Sequence, residues 1–144
     1  MIEKKIIYSF DERSQIIALL KQLLSQCHVM TFTGDLGAGK TTIIRELLRA
    51  CGVTQPITSP TFTYLNVYKN EKEEYFYHFD LYRIHSLEEF QQLGFDEYLC
   101  QPNSWAFIEW PSIIMPLLDH SVCHIKIDHQ QEYDKRLLQI QCRE

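Results

Sequence analysis

The run "GDLGAGKTT" (Gly34–Thr42) constrains this chain more than any other feature. It meets the pattern GxxxxGK followed by Ser or Thr through Gly34, Gly39, Lys40 and Thr41. Average Gly and Lys usage yields such a match by chance in about one chain in two hundred of this size. The flanks make chance a poorer explanation still. "VMTFT" (Val29–Thr33) before the loop is a β-rich run, and "TTIIRELLRAC" after it is a helical pattern stopped by Gly52. In a strand, glycine loop, helix arrangement the curled backbone turns successive N–H groups toward a phosphate chain, and the helix adds its positive dipole end. Lys40 is then placed to reach the β- and γ-phosphates, and Thr41 to keep its hydroxyl on a phosphate-bound Mg²⁺. The pattern predicts the phosphates of a nucleotide, with Mg²⁺, as the ligands.

Cleaving the nucleotide, as opposed to holding it, requires an acid to organise the magnesium shell and usually another to orient water. Two acids close apolar runs: Asp80 ends "YFYHFD" and Glu109 ends "WAFIE". Each is expected at the tip of a strand, where ligands bind in open α/β sheets. Which of the two touches the metal is open at this level, and an exposed acid at a strand end is the plain alternative for either.

The remaining elements follow from periodicity and turn chemistry. "EKKIIYS" reads as a first strand, and Ser9 with Glu12 forms a capping box for a helix to about Gln26. In that helix Ile16, Leu19, Leu20, Leu23 and Leu24 recur on one face. "TFTYLNVY" and "EYFYHFD" predict an antiparallel hairpin turning near Asn70, and Ser86 with Glu89 opens a short helix ending at Gly94. "SWAFIEW" is a buried strand, "PSIIMPLL" a brief helical connection, and "SVCHIKID" and "RLLQIQC" are two closing strands. With 144 residues and no linker or repeat, residues 1–144 are read as one α/β domain.

Composition narrows the class. Nineteen acidic against fourteen basic residues leave a net charge of −5, which disfavours direct binding to a nucleic-acid backbone. Five cysteines, odd in number and never in a CxxC pair, suggest reduced thiols and a cytoplasmic setting. No export signal or membrane-length apolar stretch is visible. His120, Cys123, His124 and His129 lie close in sequence, but strand alternation would split them across two faces, so a zinc site is disfavoured.

"GDLGAGKTT", "SPTFT", "HFDLYR", "LGFDEYL" and "IEWP", in this order, resemble the small bacterial ATPases of the TsaE family, also called YjeE. The resemblance spans about Ser9 to Pro111. It implies a P-loop NTPase fold with a mixed, mainly parallel sheet flanked by helices. It also implies a role in forming threonylcarbamoyladenosine beside the anticodon of tRNA, with TsaD and TsaB as partners and tRNA met through their complex. The family member does not transfer the carbamoyl group; its ATP hydrolysis supports turnover of the transferase. Carried over by motif, Gly37, Ala38, Gly39, Lys40, Thr41 and Thr42 cradle the nucleotide. Thr41 and Glu109 organise magnesium, and Asp80 is the acid of a Walker B type strand. Thr61 belongs to a switch-like loop, Trp110 matches the family tryptophan, and Glu12 and Arg136 occupy places where the family contacts nucleotide. Arg83, weighed between a phosphate sensor and a surface ion pair, is left as a partner-binding or structural residue. The rival readings are a P-loop kinase of a small metabolite, which needs a mobile arginine-rich lid not evident here, and a non-hydrolysing nucleotide-dependent module. A GTPase is disfavoured because no NKxD segment appears.

Overall fold

The computed structural model describes residues 1–118 and 120–143. All seven strands join one sheet: β1 (Ile2–Ser9), β2 (Val29–Thr33), β3 (Leu65–Lys69), β4 (Tyr75–Asp80), β5 (Ser104–Glu109), β6 (Val122–His129) and β7 (Lys135–Arg143). Their order is β1-β7-β6-β2-β5-β4-β3. The four central strands β6, β2, β5 and β4 run parallel, and antiparallel pairing closes both margins. Helices α1 (Arg13–Leu23) and α2 (Lys40–Ala50) cover one face, and α3 (Leu87–Gln92) covers part of the other. The sheet is therefore mixed, with its parallel part at the core.

The burial pattern explains the layering. β2 is buried on both faces: Met30 and Phe32 pack with Ile43, Ile44, Leu47 and Leu48 of α2, while Val29 joins Phe79, Phe90 and Ile108 on the far side. A strand enclosed on both sides needs a nearly continuous apolar run, which "VMTFT" provides. β6 and β7 instead alternate, because one of their faces is open: Ile125, Ile127, Leu138 and Ile140 point inward while Lys126 and Gln141 face solvent.

Several boundaries differ from expectation. Ser9 and Glu12 do interact, with the Glu12 carboxylate accepting from the Ser9 N–H at 2.9 Å and its hydroxyl at 3.0 Å. They cap a 3-10 turn at Phe10–Glu12 that leads into α1, and α1 ends at Leu23 rather than near Gln26. Leu24 still packs in the core from the turn that follows, so the apolar spacing outlasts the helix. β3 begins at Leu65, because Tyr64 at φ 66° breaks the extended run. At the hairpin, Asn70 closes the turn by accepting on its side-chain oxygen from the N–H groups of Lys72 and Glu74, both at 3.0 Å.

One expectation about cysteines is corrected. Cys123 and Cys142 are joined as a disulfide, leaving Cys27, Cys51 and Cys100 free. The pair are direct cross-strand partners in the β6–β7 register, a relation that their separation of 19 residues in sequence does not reveal. His124 donates to or accepts from the Thr31 hydroxyl at 2.7 Å, and no metal-binding group of three or more ligands occurs among the described residues. No helix there is long and apolar enough to cross a membrane.

Candidate functional site

The parallel strands deliver their carboxyl ends to one edge of the sheet. β2 ends at Thr33 and releases the chain into the glycine loop, while β4 and β5 end at Asp80 and Glu109, which are direct register partners. Leu36 to Thr42, Ser59, Thr61, Asp80, Glu109 and Trp110 line a hollow of about 300 Å³ there. Two larger hollows lie elsewhere, of about 560 Å³ on the open face of β1, β7 and β6 and about 660 Å³ beside the C-terminal ends of α1 and α2. Neither combines a glycine loop with converging carboxylates, so chemistry rather than size selects the smaller one.

Three features give the loop its shape. Gly34 takes φ +146°, and a Cβ there would stand 2.3 Å from the Ile127 carbonyl oxygen of β6. Gly39 takes φ +112° as the residue before α2, bringing the helix N-terminus to the hollow. The buried Arg136 of β7 braces the loop from behind, its Nε donating to the Ala38 carbonyl at 3.1 Å. Arg136 thus contacts the loop backbone and does not line the hollow. Glu12 does not line it either, and its carboxylate serves its own turn.

Lys40 is buried and turned onto its own loop. Its ammonium donates to the Gly34 carbonyl and to the Asp35 carbonyl, the latter at 3.2 Å, and lies 3.9 Å from the centre of the Trp110 ring. Burial lowers its pKa below the usual lysine value, while Glu109, Asp80 and Asp35 pull it back up. Trp110 adopts φ 58° immediately before Pro111, and its ring packs 4.9 Å from that of Tyr82. Thr61 shares a 2.8 Å hydrogen bond with Ser59 in the loop over the hollow, and Arg83 stacks its guanidinium 4.6 Å over Phe62.

The acids are held differently. Asp80 accepts from the Tyr82 N–H at 3.1 Å. Burial raises its pKa, the Tyr82 N–H opposes that rise, and neighbouring Glu109 adds to it. Glu109 is only 2% exposed and is gripped from both sides, accepting from the Thr41 hydroxyl at 2.8 Å and meeting His78 Nε2 at 2.6 Å. Thr41, Asp80 and Glu109 offer hard oxygen donors near one another, the donor set that suits Mg²⁺. No local motif marks His78, although strand alternation places it on the face of Asp80, two residues on.

A family model described as "Threonylcarbamoyl adenosine biosynthesis protein TsaE" matches residues 7–138. This chain belongs to the TsaE family. The TsaE protein of Rickettsia felis is 38% identical over 94% of this chain and 77% of its own length. That of Haemophilus influenzae is 34% identical over 79% of this chain and 71% of its own. The crystal structure of Bacillus subtilis YdiB superposes with a TM-score of 0.72 at 25% identity, covering all of this chain and 89% of that one. The family match encloses every residue of the hollow, from Leu36 to Trp110.

Proposed function

We propose that this protein is a Mg²⁺-dependent ATPase of tRNA threonylcarbamoyladenosine biosynthesis, acting in the cytoplasm on a TsaD–TsaB transferase complex without performing the carbamoyl transfer itself. The observation that carries the reading is the meeting of Thr41 and Glu109 at 2.8 Å beside Lys40, within a glycine loop of a TsaE family chain. Residues Gly37 to Thr42 would wrap the phosphates with backbone N–H groups, and Lys40 would exchange its loop carbonyls for phosphate oxygens. Thr41, Glu109 and Asp80 would hold the Mg²⁺, which when bound neutralises charge on the β- and γ-phosphates. Glu109, fixed by Thr41 and His78, is positioned to keep that end of the site in register. Exposed Leu36, Phe62 and Tyr82 sit on or beside the mouth and support control by a docking partner.

The test is a reconstitution with purified TsaD and TsaB proteins, tRNA and ATP. Wild-type protein is expected to bind MgADP, hydrolyse ATP slowly alone and sustain repeated rounds of tRNA modification. Lys40→Ala and Glu109→Ala are each expected to abolish that support. Full modification in cells carrying only either variant would overturn the mechanism, and phosphoryl transfer to a small metabolite would favour a kinase instead.

A further inference from the structure

We infer that His78 is a positioning residue for Glu109, holding one carboxylate oxygen so that the other stays turned toward Thr41 and the phosphate site. The inference rests on the ATPase reading above and assigns a device within that site. His78 Nε2 lies 2.6 Å from Glu109 Oε2, while Glu109 Oε1 accepts from the Thr41 hydroxyl at 2.8 Å. Both oxygens of the carboxylate are therefore spoken for, and the side-chain exposures of His78 and Glu109 are 1% and 3%. The ring has no other polar contact: His78 Nδ1 is the one buried side-chain nitrogen or oxygen without a partner among the described residues.

That bare atom defines the tautomer. A proton on Nδ1 would strand a buried donor and leave two lone pairs facing each other across 2.6 Å. A proton on Nε2 makes the hydrogen bond to Glu109 and leaves only an unused lone pair behind. The surroundings supply no other reason for an imidazole. Its cross-strand partners are Phe107 on β5 and Asn66 on β3, and the Asn66 amide is taken up by Thr58, Thr63 and Tyr68; Phe76 lies two residues before His78 on the same face, 6.2 Å from the Phe107 ring. An apolar side chain would fill this aromatic corner without stranding a polar atom, so the ring's distinctive contribution is one N–H aimed at Glu109. Among the described residues no hydrogen bond joins His78 to the loop N–H groups or to Lys40, which separates its effect from nucleotide binding itself.

Three variants test this: His78→Leu, which removes the donor at similar bulk; His78→Asn, whose amide falls short of Nε2; and His78→Gln, whose amide nitrogen reaches about as far as Nε2. In MgATP hydrolysis, His78→Leu and His78→Asn are expected to lower kcat about 10- to 100-fold with little change in KM, and His78→Gln to recover most of it. Calorimetric ADP titrations with and without Mg²⁺ provide a readout independent of turnover. Metal-free ADP affinity is expected to stay level, while the gain on adding Mg²⁺ shrinks in the Leu and Asn variants and survives in Gln. Nitrogen-15 spectra of the wild type, metal-free, are expected to show His78 protonated at Nε2 and bare at Nδ1. A proton on Nδ1, a His78→Leu protein with wild-type kcat and Mg²⁺ gain, or a folded His78→Gln protein as impaired as Leu would overturn the inference. A wild type that neither binds ADP nor hydrolyses ATP would instead overturn the ATPase reading, and the tautomer measurement would still judge His78.

Discussion

At the residue scale, the three loop glycines serve different ends. Gly37 and Gly39 have open space around a would-be Cβ and are needed for their positive φ, whereas Gly34 combines a positive φ with a position closed off by the Ile127 carbonyl. Gly34→Ala should therefore push the loop off β6. Overpacking of this kind costs about 1–3 kcal/mol, so a lowered melting temperature and weakened ADP binding are expected, measured by calorimetry and titration. Trp110 shows another kind of strain. A residue before proline is biased to extended backbone, yet this one stands at φ 58° with its ring over Lys40. Strain of this sort persists where packing over-determines it, here through the Tyr82 ring and the Lys40 ammonium packed against the indole.

Among elements, the division is between strands that carry the site and one that supports it from behind. β2, β4 and β5 end at the hollow, whereas β7 stands behind it and touches its loop through Arg136, which also donates to the Tyr133 and Lys135 carbonyls at 3.0 and 2.8 Å. Arg136→Met keeps the apolar stem but deprives the Ala38 carbonyl of its donor. The loss of that hydrogen bond should cost about 1 kcal/mol, roughly fivefold in ADP affinity, with the fold intact by circular dichroism. An unchanged dissociation constant would mean that the loop keeps its shape without the brace. The types of these elements were legible because their signals are local. Alternation marked β6 and β7, helical spacing marked α1, and Ser86 accepts from the Glu89 N–H at 3.1 Å as its cap pattern predicts. Their ends were less so: α1 stops where its chain must turn toward β2, although its apolar pattern continues through Leu24.

For the whole molecule, the balance of charge bears on the macromolecule it serves. A net charge of −5 repels a phosphate backbone, so the isolated protein is expected to give little or no tRNA shift in a native gel at physiological salt. Tight binding without partners would count against access through a complex. The sequence by itself determined the strand, glycine loop and helix, the two acids at strand ends and the family resemblance, because each is encoded by residues close together along the chain. Tertiary structure alone decided the rest. Cys123 meets Cys142 through cross-strand register, Arg136 meets Ala38 across 98 positions, and Glu109 is caught between Thr41 and His78, 68 and 31 positions away. Those contacts depend on the order in which strands lie side by side in the sheet, and no local pattern of residues specifies that order.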